Sequence, residues 1–279
     1  MSWRAPMPER LKDQYFARFR EYYENRLGVR EWQDAAMKRL CLEVADAHIR
    51  RLRDIINGGT ARILDLGSGP GDLGIALGLG GQVVVSVEPS TAWVRLSKAW
   101  SDFLGLSVEY LEAVGENIPC VDGSFDLVCA SHVLEHVGNP AIVLTEIRRV
   151  LADGGFCYVN APNYLWPFEP HYGLPWLPGL PKRAGAIYLH ALGRNSAFVN
   201  HLNYTTSIGI KSVSSRLGFT VLRDYMAEYI MDPDNVKDEK WRSIAERLRP
   251  VRRWASTLAN FAPDVALLLQ KRTRPLHRD

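Results

Sequence analysis

The chain has 279 residues and a mass of 31.5 kDa, enough for one large domain or for a core domain with an appended cap. Hydrophobic residues at 47% and charged residues at 23% are ordinary folded-protein values, which excludes general disorder and collagen-like repeats. The net charge of +3 is unevenly spread: residues 237–279 hold 11 Lys or Arg against 5 Asp or Glu, so residues 1–236 are net acidic.

Such a basic terminus either meets an anionic surface (a phosphorylated substrate, a membrane face, nucleic acid) or forms a solvated helix face, and the solvated face is the expectation here. No run approaches the ~20 apolar residues that a membrane span needs. Met1-Ser-Trp-Arg-Ala-Pro6 lacks an apolar signal region, so a cytoplasmic protein is expected. Cys41, Cys120, Cys129 and Cys157 form no C-x-x-C pair and read as reduced thiols, two of them in buried strands.

Residues 1–58 read as a helical cap. Met37, Leu40, Cys41, Val44, Ala45, His48, Leu52, Ile55 and Ile56 recur at helical spacing and predict one buried stripe, with His48 a core histidine. Asn57-Gly58-Gly59 closes it. From residue 59 strands alternate with helices. Strands are expected at 62–66, 82–88, 107–111, 126–130 and 156–160, with two more at 219–223 and 265–270. Ser90 caps a helix carrying Trp93, Leu96, Trp100, Phe103 and Leu104. Asn139-Pro140 opens another that runs to Asp153-Gly154-Gly155. A third begins at Thr205 or Thr206. This rhythm predicts an α/β fold: a doubly wound, mainly parallel sheet of seven strands with helices on both faces. Residues 59–160 form its core and 206–279 complete it. Two stretches interrupt it. Residues 161–205 carry six of the 16 prolines and many aromatics, the composition of a substrate lid; residues 231–260 form a charged, helical insertion.

The most informative stretch is Asp65-Leu-Gly67-Ser68-Gly69-Pro-Gly71-Asp-Leu-Gly74. A strand runs into glycines and a helix starts near Asp72, offering free N–H groups to a ligand. Glu88 ends the next strand, where a carboxylate can accept hydrogen bonds from ribose hydroxyls. Gly69-Pro-Gly71-Asp-Leu-Gly74 also fits the dinucleotide pattern G-x-G-x-x-G, which keeps an NAD(P)-dependent oxidoreductase open.

Asp65-x-Gly67-x-Gly69-x-Gly71 resembles the loop of class I S-adenosylmethionine (SAM) methyltransferases, and the resemblance continues in order. Glu116-Asn-Ile-Pro119, Asp122-Gly-Ser-Phe-Asp126, Val133-Leu-Glu135-His136-Val137, Arg149-Val-Leu151 and Gly154-Gly155 are similar to the type 11 branch. That branch includes quinone-pathway and sugar or natural-product O-methyltransferases. The resemblance implies a Rossmann-like fold and SAM as cofactor. Asp65 would favour the ammonium group, and Gly67, Ser68, Gly69 and Gly71 would surround the methionine part. Glu88 would hold the ribose, with Pro89 beside the adenine. Val114, Gly115 and Glu116 would line the adenine edge, although many relatives carry an acid where Val114 stands. Ser131 and His132 would lie near the methionyl tail.

A hydroxyl acceptor must also lose a proton, which suits a histidine. His136 is the leading base, with His171 or Glu169 of the lid as further candidates and His201 and Asn203 weaker ones. Alternatively His132 and His136 order their turn, and Trp166, Phe168, Trp176 and Leu177 form a satellite core against His171. His132-Val-Leu-Glu135-His136 spells H-x-x-E-H, but Gly138-Asn139-Pro140 ends the run too soon for a zinc-protease helix. Some quinone-pathway relatives hold a divalent cation here through acids; His132 replaces one of these, and no metal is expected. The Asn/Asp-Pro-Pro-aromatic run of nucleic-acid amino-methyltransferases is replaced by Ala130-Ser131-His132, so the expected partner is a small or carrier-linked hydroxylated substrate, not nucleic acid. A catalytically silent SAM-fold partner protein is the other alternative.

Overall fold

The computed structural model describes residues 6–235 and 239–273; Met1–Ala5, with most of the expected signal-free N-terminus, and Arg274 and Arg278 of the basic terminus lie outside them. The cap consists of α1 (Glu9–Arg20), a π-helical segment (Glu21–Leu27), α2 (Gln33–Leu40) and α3 (Glu43–Ile56). The expected single stripe is broken between α2 and α3. Leu42 adopts a left-handed conformation (φ 58°) and turns the chain, so Leu40, Ala45, His48, Leu52 and Ile56 are buried while Met37 and Cys41 face solvent.

The core follows as β1 (Arg62–Leu66), α4 (Asp72–Leu79), β2 (Val83–Glu88), α5 (Thr91–Phe103), β3 (Val108–Glu112), β4 (Phe125–Ser131), α6 (Pro140–Val150) and β5 (Leu151–Pro162). The lid holds the two-residue strands β6 (Phe168–Glu169) and β7 (Leu174–Pro175) and helix α7 (Lys182–Ala191). The chain closes with α8 (Ser207–Arg216), β8 (Phe219–Asp224), α9 (Tyr225–Met231), α10 (Glu239–Arg247), α11 (Ala255–Leu258) and β9 (Asp264–Lys271). Seven strands form one sheet in the order β3-β2-β1-β4-β5-β9-β8, all parallel except β9. This is the expected doubly wound, Rossmann-like sheet.

Period-two alternation explains why both faces are covered. Ile63, Val84, Leu127 and Leu268 face the cap and α4, whereas Leu64, Val85, Val128 and Leu267 pack with Val143 and Ile147 of α6. Aromatic rings seat the cap on α5: Tyr15 lies 6.1 Å from Trp100 and Phe19 lies 5.5 Å from Trp93. Asn139 caps α6 by accepting from Ala141 N, and Thr206 caps α8 by accepting from Gly209 N. Ser90 precedes α5, but its side chain makes no capping bond. The α6 helix stops at Val150 instead of reaching Gly154, because Leu151 already enters β5. Gly154, at φ 78°, lies within that strand beside a register shift against β4.

The lid carries its own apolar cluster, differently composed from expectation. Tyr164, Tyr172, Trp176, Leu189 and Val199 are buried with Leu27 and Val29 of the cap, while Phe168 and Leu177 are exposed. The charged insertion is helical over its described residues 239–260, and its Arg249, Arg252 and Arg253 are exposed. Among the described residues no helix is long and apolar enough to cross a membrane.

Candidate functional site

Strand order reverses between β1 and β4, which leaves a crevice at their carboxyl ends. The glycine loop fills its floor. Gly67 N and Ser68 N donate to Val87 O at 2.7 and 3.1 Å, pinning the loop to the end of β2. A Cβ at Gly67 would meet Val133 Cγ2 at 2.6 Å, and one at Gly71 would meet Ser97 Cβ at 2.6 Å. Those two glycines serve packing. Gly69 differs: it is left-handed (φ 49°), and a Cβ there would meet nothing within 4 Å. Its open side faces a cavity of about 830 Å³.

Gly67, Ser68, Gly69, Glu88, Pro89, Ser131, His132, His136 and His171 all line this cavity. The carboxylate of Glu88 accepts from Gly69 N at 2.9 Å and from Ser90 N at 3.0 Å. Burial raises its pKa, against these two bonds. Asp65 lies beneath the loop and does not line the cavity. Burial, reinforced by Asp72, pushes its pKa up to about 7, and its Oδ2 has no hydrogen-bond partner among the described residues. Gly71 is likewise outside the walls. Val114, Gly115 and Glu116 are not brought to the cavity either. Glu112 of β3 pairs in register with Glu88, so residues 114–116 lie one strand further out. Val114 is half exposed, and Glu116 Oε1 accepts from Gly138 N at 2.6 Å, holding the turn after His136.

At the far end two histidines meet. The His136 and His171 rings lie 5.1 Å apart, and Phe198 flanks both. Glu169 is fully buried and accepts from Tyr164 Oη at 2.9 Å and from Tyr172 N at 2.7 Å; His171 Nδ1 lies 2.6 Å from its Oε1. Burial lowers the His171 pKa, but the bond and charge of Glu169, with the charge of Glu135, outweigh it and the net direction is up. The His136 ring pairs with Glu135 at the longer distance of 3.9 Å, and burial pushes its pKa down to about 4. Glu135 is itself fully buried; burial pushes its pKa up, yet His132, His136 and His171 together hold it below the ordinary value. His132 Nδ1 lies 3.1 Å from Glu135 Oε1 on a residue with φ 55°, a conformation costly for a non-glycine. Glu135, His136 and His171 offer donor atoms within 4.8 Å of one another, so carboxylate and imidazole chemistry converges here. Asn203 is spent on structure, its Nδ2 donating to Val137 O at 2.5 Å, and His201 is exposed.

The family model described as a methyltransferase domain matches residues 64–159. An uncharacterised methyltransferase of Mycobacterium sp. (strain KMS) is 33% identical over 113 residues, 40% of this chain and 43% of its own. One from Mycobacterium tuberculosis (strain ATCC 25618 / H37Rv) is 33% identical over 132 residues, covering 47% and 51%. Over residues 64–159 the chain is thus similar to SAM-dependent methyltransferase domains. The chain spans about half the length of the curated relatives it matches. A solved SAM-dependent methyltransferase from Mesorhizobium loti superimposes with a TM-score of 0.54 at 17% identity, covering 81% of this chain and 100% of that one. The cyclase SpnF superimposes at 0.55 and 18% identity, covering 87% and 83%. These two likenesses show the fold alone.

SAM is the cofactor that the methyltransferase similarity implies, and the cavity fits it on three counts. The Gly69 backbone is open to a ligand, Ser68 Oγ is buried on the cavity wall without a hydrogen-bond partner among the described residues, and the Glu88 carboxylate stands at the same wall. Around the domain, the cap contributes cavity residues that the sequence did not single out. Phe19, Tyr22, Tyr23, Arg26 and Arg39 line it, with Trp93 from α5. The π-helical segment presents Tyr22, Tyr23 and Arg26, in keeping with the placement of such turns at functional sites. Arg194 Nη1 donates to Gly28 O and Asn195 Nδ2 to Asn25 O, tying that segment to the lid.

Proposed function

We propose that this chain O-methylates a small or carrier-linked hydroxylated molecule (a sugar, a quinone or phenol, or a natural product) at the expense of SAM. One observation carries this: a single cavity joins the glycine loop and Glu88 to a histidine held by a buried carboxylate. SAM supplies an activated methyl group on its sulfonium when bound. The chain then has to align a nucleophile and accept its proton. The nearby Glu169 holds the hydrogen of His171 on Nδ1, which leaves Nε2 as the acceptor for a substrate hydroxyl proton. His136, the weaker base, serves as a polar contact that orients the same hydroxyl. Gly67, Ser68 and Gly69 face the amino-acid part of the cofactor, Glu88 its ribose and Pro89 its adenine. Phe19, Tyr22 and Tyr23 exclude water from the site. Val114, Gly115, Glu116, Asp65 and Gly71 act behind the cavity wall.

The test is turnover with labelled SAM and a panel of sugars, phenols and hydroxylated carriers. Formation of S-adenosylhomocysteine together with an O-methylated acceptor supports the proposal. Thermal stabilisation by NAD(P) and not by SAM would support an oxidoreductase. Failure to bind either would leave a silent partner protein.

A further inference from the structure

Behind the cavity wall, a line of polar side chains runs from the C-terminal helices to Ser131 at the end of β4. Arg51 of α3 donates through Nε to Tyr229 Oη at 3.0 Å and through Nη1 to Tyr158 Oη at 2.7 Å. Tyr158 Oη lies 3.0 Å from His48 Nδ1, and His48 Nε2 lies 3.1 Å from Ser131 Oγ. Tyr158 and His48 are buried, and Ser131 opens onto the cavity.

The direction of every bond in this line follows from its first member. A guanidinium can only donate, so Tyr158 Oη accepts from Arg51 and must place its own hydrogen elsewhere. The acceptor within reach is His48 Nδ1. An accepting Nδ1 makes His48 neutral, with its one hydrogen on Nε2. Burial and the adjacent Arg51 charge both disfavour a second proton. His48 Nε2 therefore donates to Ser131 Oγ, and the serine hydrogen is left free to point into the cavity. Register pairs Leu66 with Ala130, which sets Ser131 beside Gly67 at the amino-acid end of the proposed cofactor site.

We propose that Arg51, Tyr158 and His48 form a positioning relay that commits the Ser131 hydroxyl to donating its hydrogen to the carboxylate of the bound nucleoside's amino-acid tail. The proposal rests on the cavity holding SAM. The three relay residues touch no ligand; they fix which way Ser131 can bond. Without the relay, Ser131 is free to donate back into the wall.

Calorimetry with two probes tests this: S-adenosylhomocysteine, which carries the carboxylate, and 5′-methylthioadenosine, which lacks the amino-acid tail. Ser131→Ala is expected to weaken S-adenosylhomocysteine about tenfold or more, the ratio of a hydrogen bond to a charged group, and to leave methylthioadenosine unchanged. His48→Phe should match that loss and add none to Ser131→Ala in the double variant. His48→Gln offers one donor and one acceptor and should restore most of the affinity. Equal weakening of both probes, or none, in Ser131→Ala overturns the relay, and Ser131→Ala needs no change in the core to fold. If the unaltered protein binds neither probe, the SAM site itself is wrong and the relay falls with it.

Discussion

At one end of the cavity the ligand-facing groups come mainly from a short run of chain, Gly67 to Pro89, with Ser131 at the end of β4 beside it, and are largely backbone held by two strands. At the other end they come from the turn after β4, the lid and the π-helical segment of the cap, and are side chains held by buried carboxylates. The first end needs small residues and a sharp turn, which confine it to local sequence. The second can be assembled from distant segments, and its substrate can change without disturbing the sheet. The glycine-loop end is thus a problem of close approach of a backbone, and the histidine end is a problem of placing charge.

Substitutions at the two ends should fail differently. The largest effect is expected for Gly69→Val, because a β-branched residue is strained at φ 49° and its side chain would enter the cavity. Calorimetry should show SAM binding abolished, with a cooperative thermal transition retained because no protein atom lies within 4 Å of the added Cβ. Next comes Glu169→Gln at the other end. SAM affinity should persist, while kcat falls by about 10²–10⁴, the usual contribution of general acid–base catalysis. The pH profile sharpens the distinction. A base must be unprotonated to act, so the rate rises with pH through the His171 pKa. Glu169 and Glu135 set that pKa above the ordinary 6.5, which places the acid limb on the alkaline side of that value. Removing the Glu169 charge withdraws support for the imidazolium, and the limb should move to lower pH.

A smaller loss is expected for Glu88→Ala, about 1–3 kcal/mol of SAM binding, through lost charge-assisted hydrogen bonds. Methylthioadenosine, which keeps the ribose, should weaken in parallel. The smallest effect concerns metal removal. Dialysis against a chelator is expected to leave turnover unchanged, because the proposed proton acceptor is the His171 imidazole oriented by Glu169. Loss of turnover restored by a divalent cation would reassign Glu135, His136 and His171 as its ligands.

The sheet was legible in the sequence because β-branched and apolar runs bounded by glycines leave few alternatives, and the glycine loop and Glu88 reach the same cavity. His48 was legible as a core residue from its helical spacing. The helix break at Leu42 was not, since a left-handed leucine has no local signal and is held by burial. The lid core misled for a related reason: composition marks residues 161–205 as aromatic, but only tertiary packing decides that Tyr164 and Tyr172 go inside while Phe168 stays out. The family resemblance implied Val114, Gly115 and Glu116 at the adenine edge, whereas the 2.6 Å bond from Gly138 N shows Glu116 holding a turn. The choice between His136 and His171 needed Glu169, whose buried position no spacing reveals. Tyr22 and Arg26 were missed because an irregular helix turns them into the cavity.

The most direct test of the central claim is a crystal structure of the protein with S-adenosylhomocysteine. The account predicts the ribose hydroxyls on Glu88, the amino-acid tail over Gly67–Gly69, and the sulfur directed toward His136 and His171. A nucleoside bound elsewhere, or one whose sulfur faces away from both histidines, would contradict it.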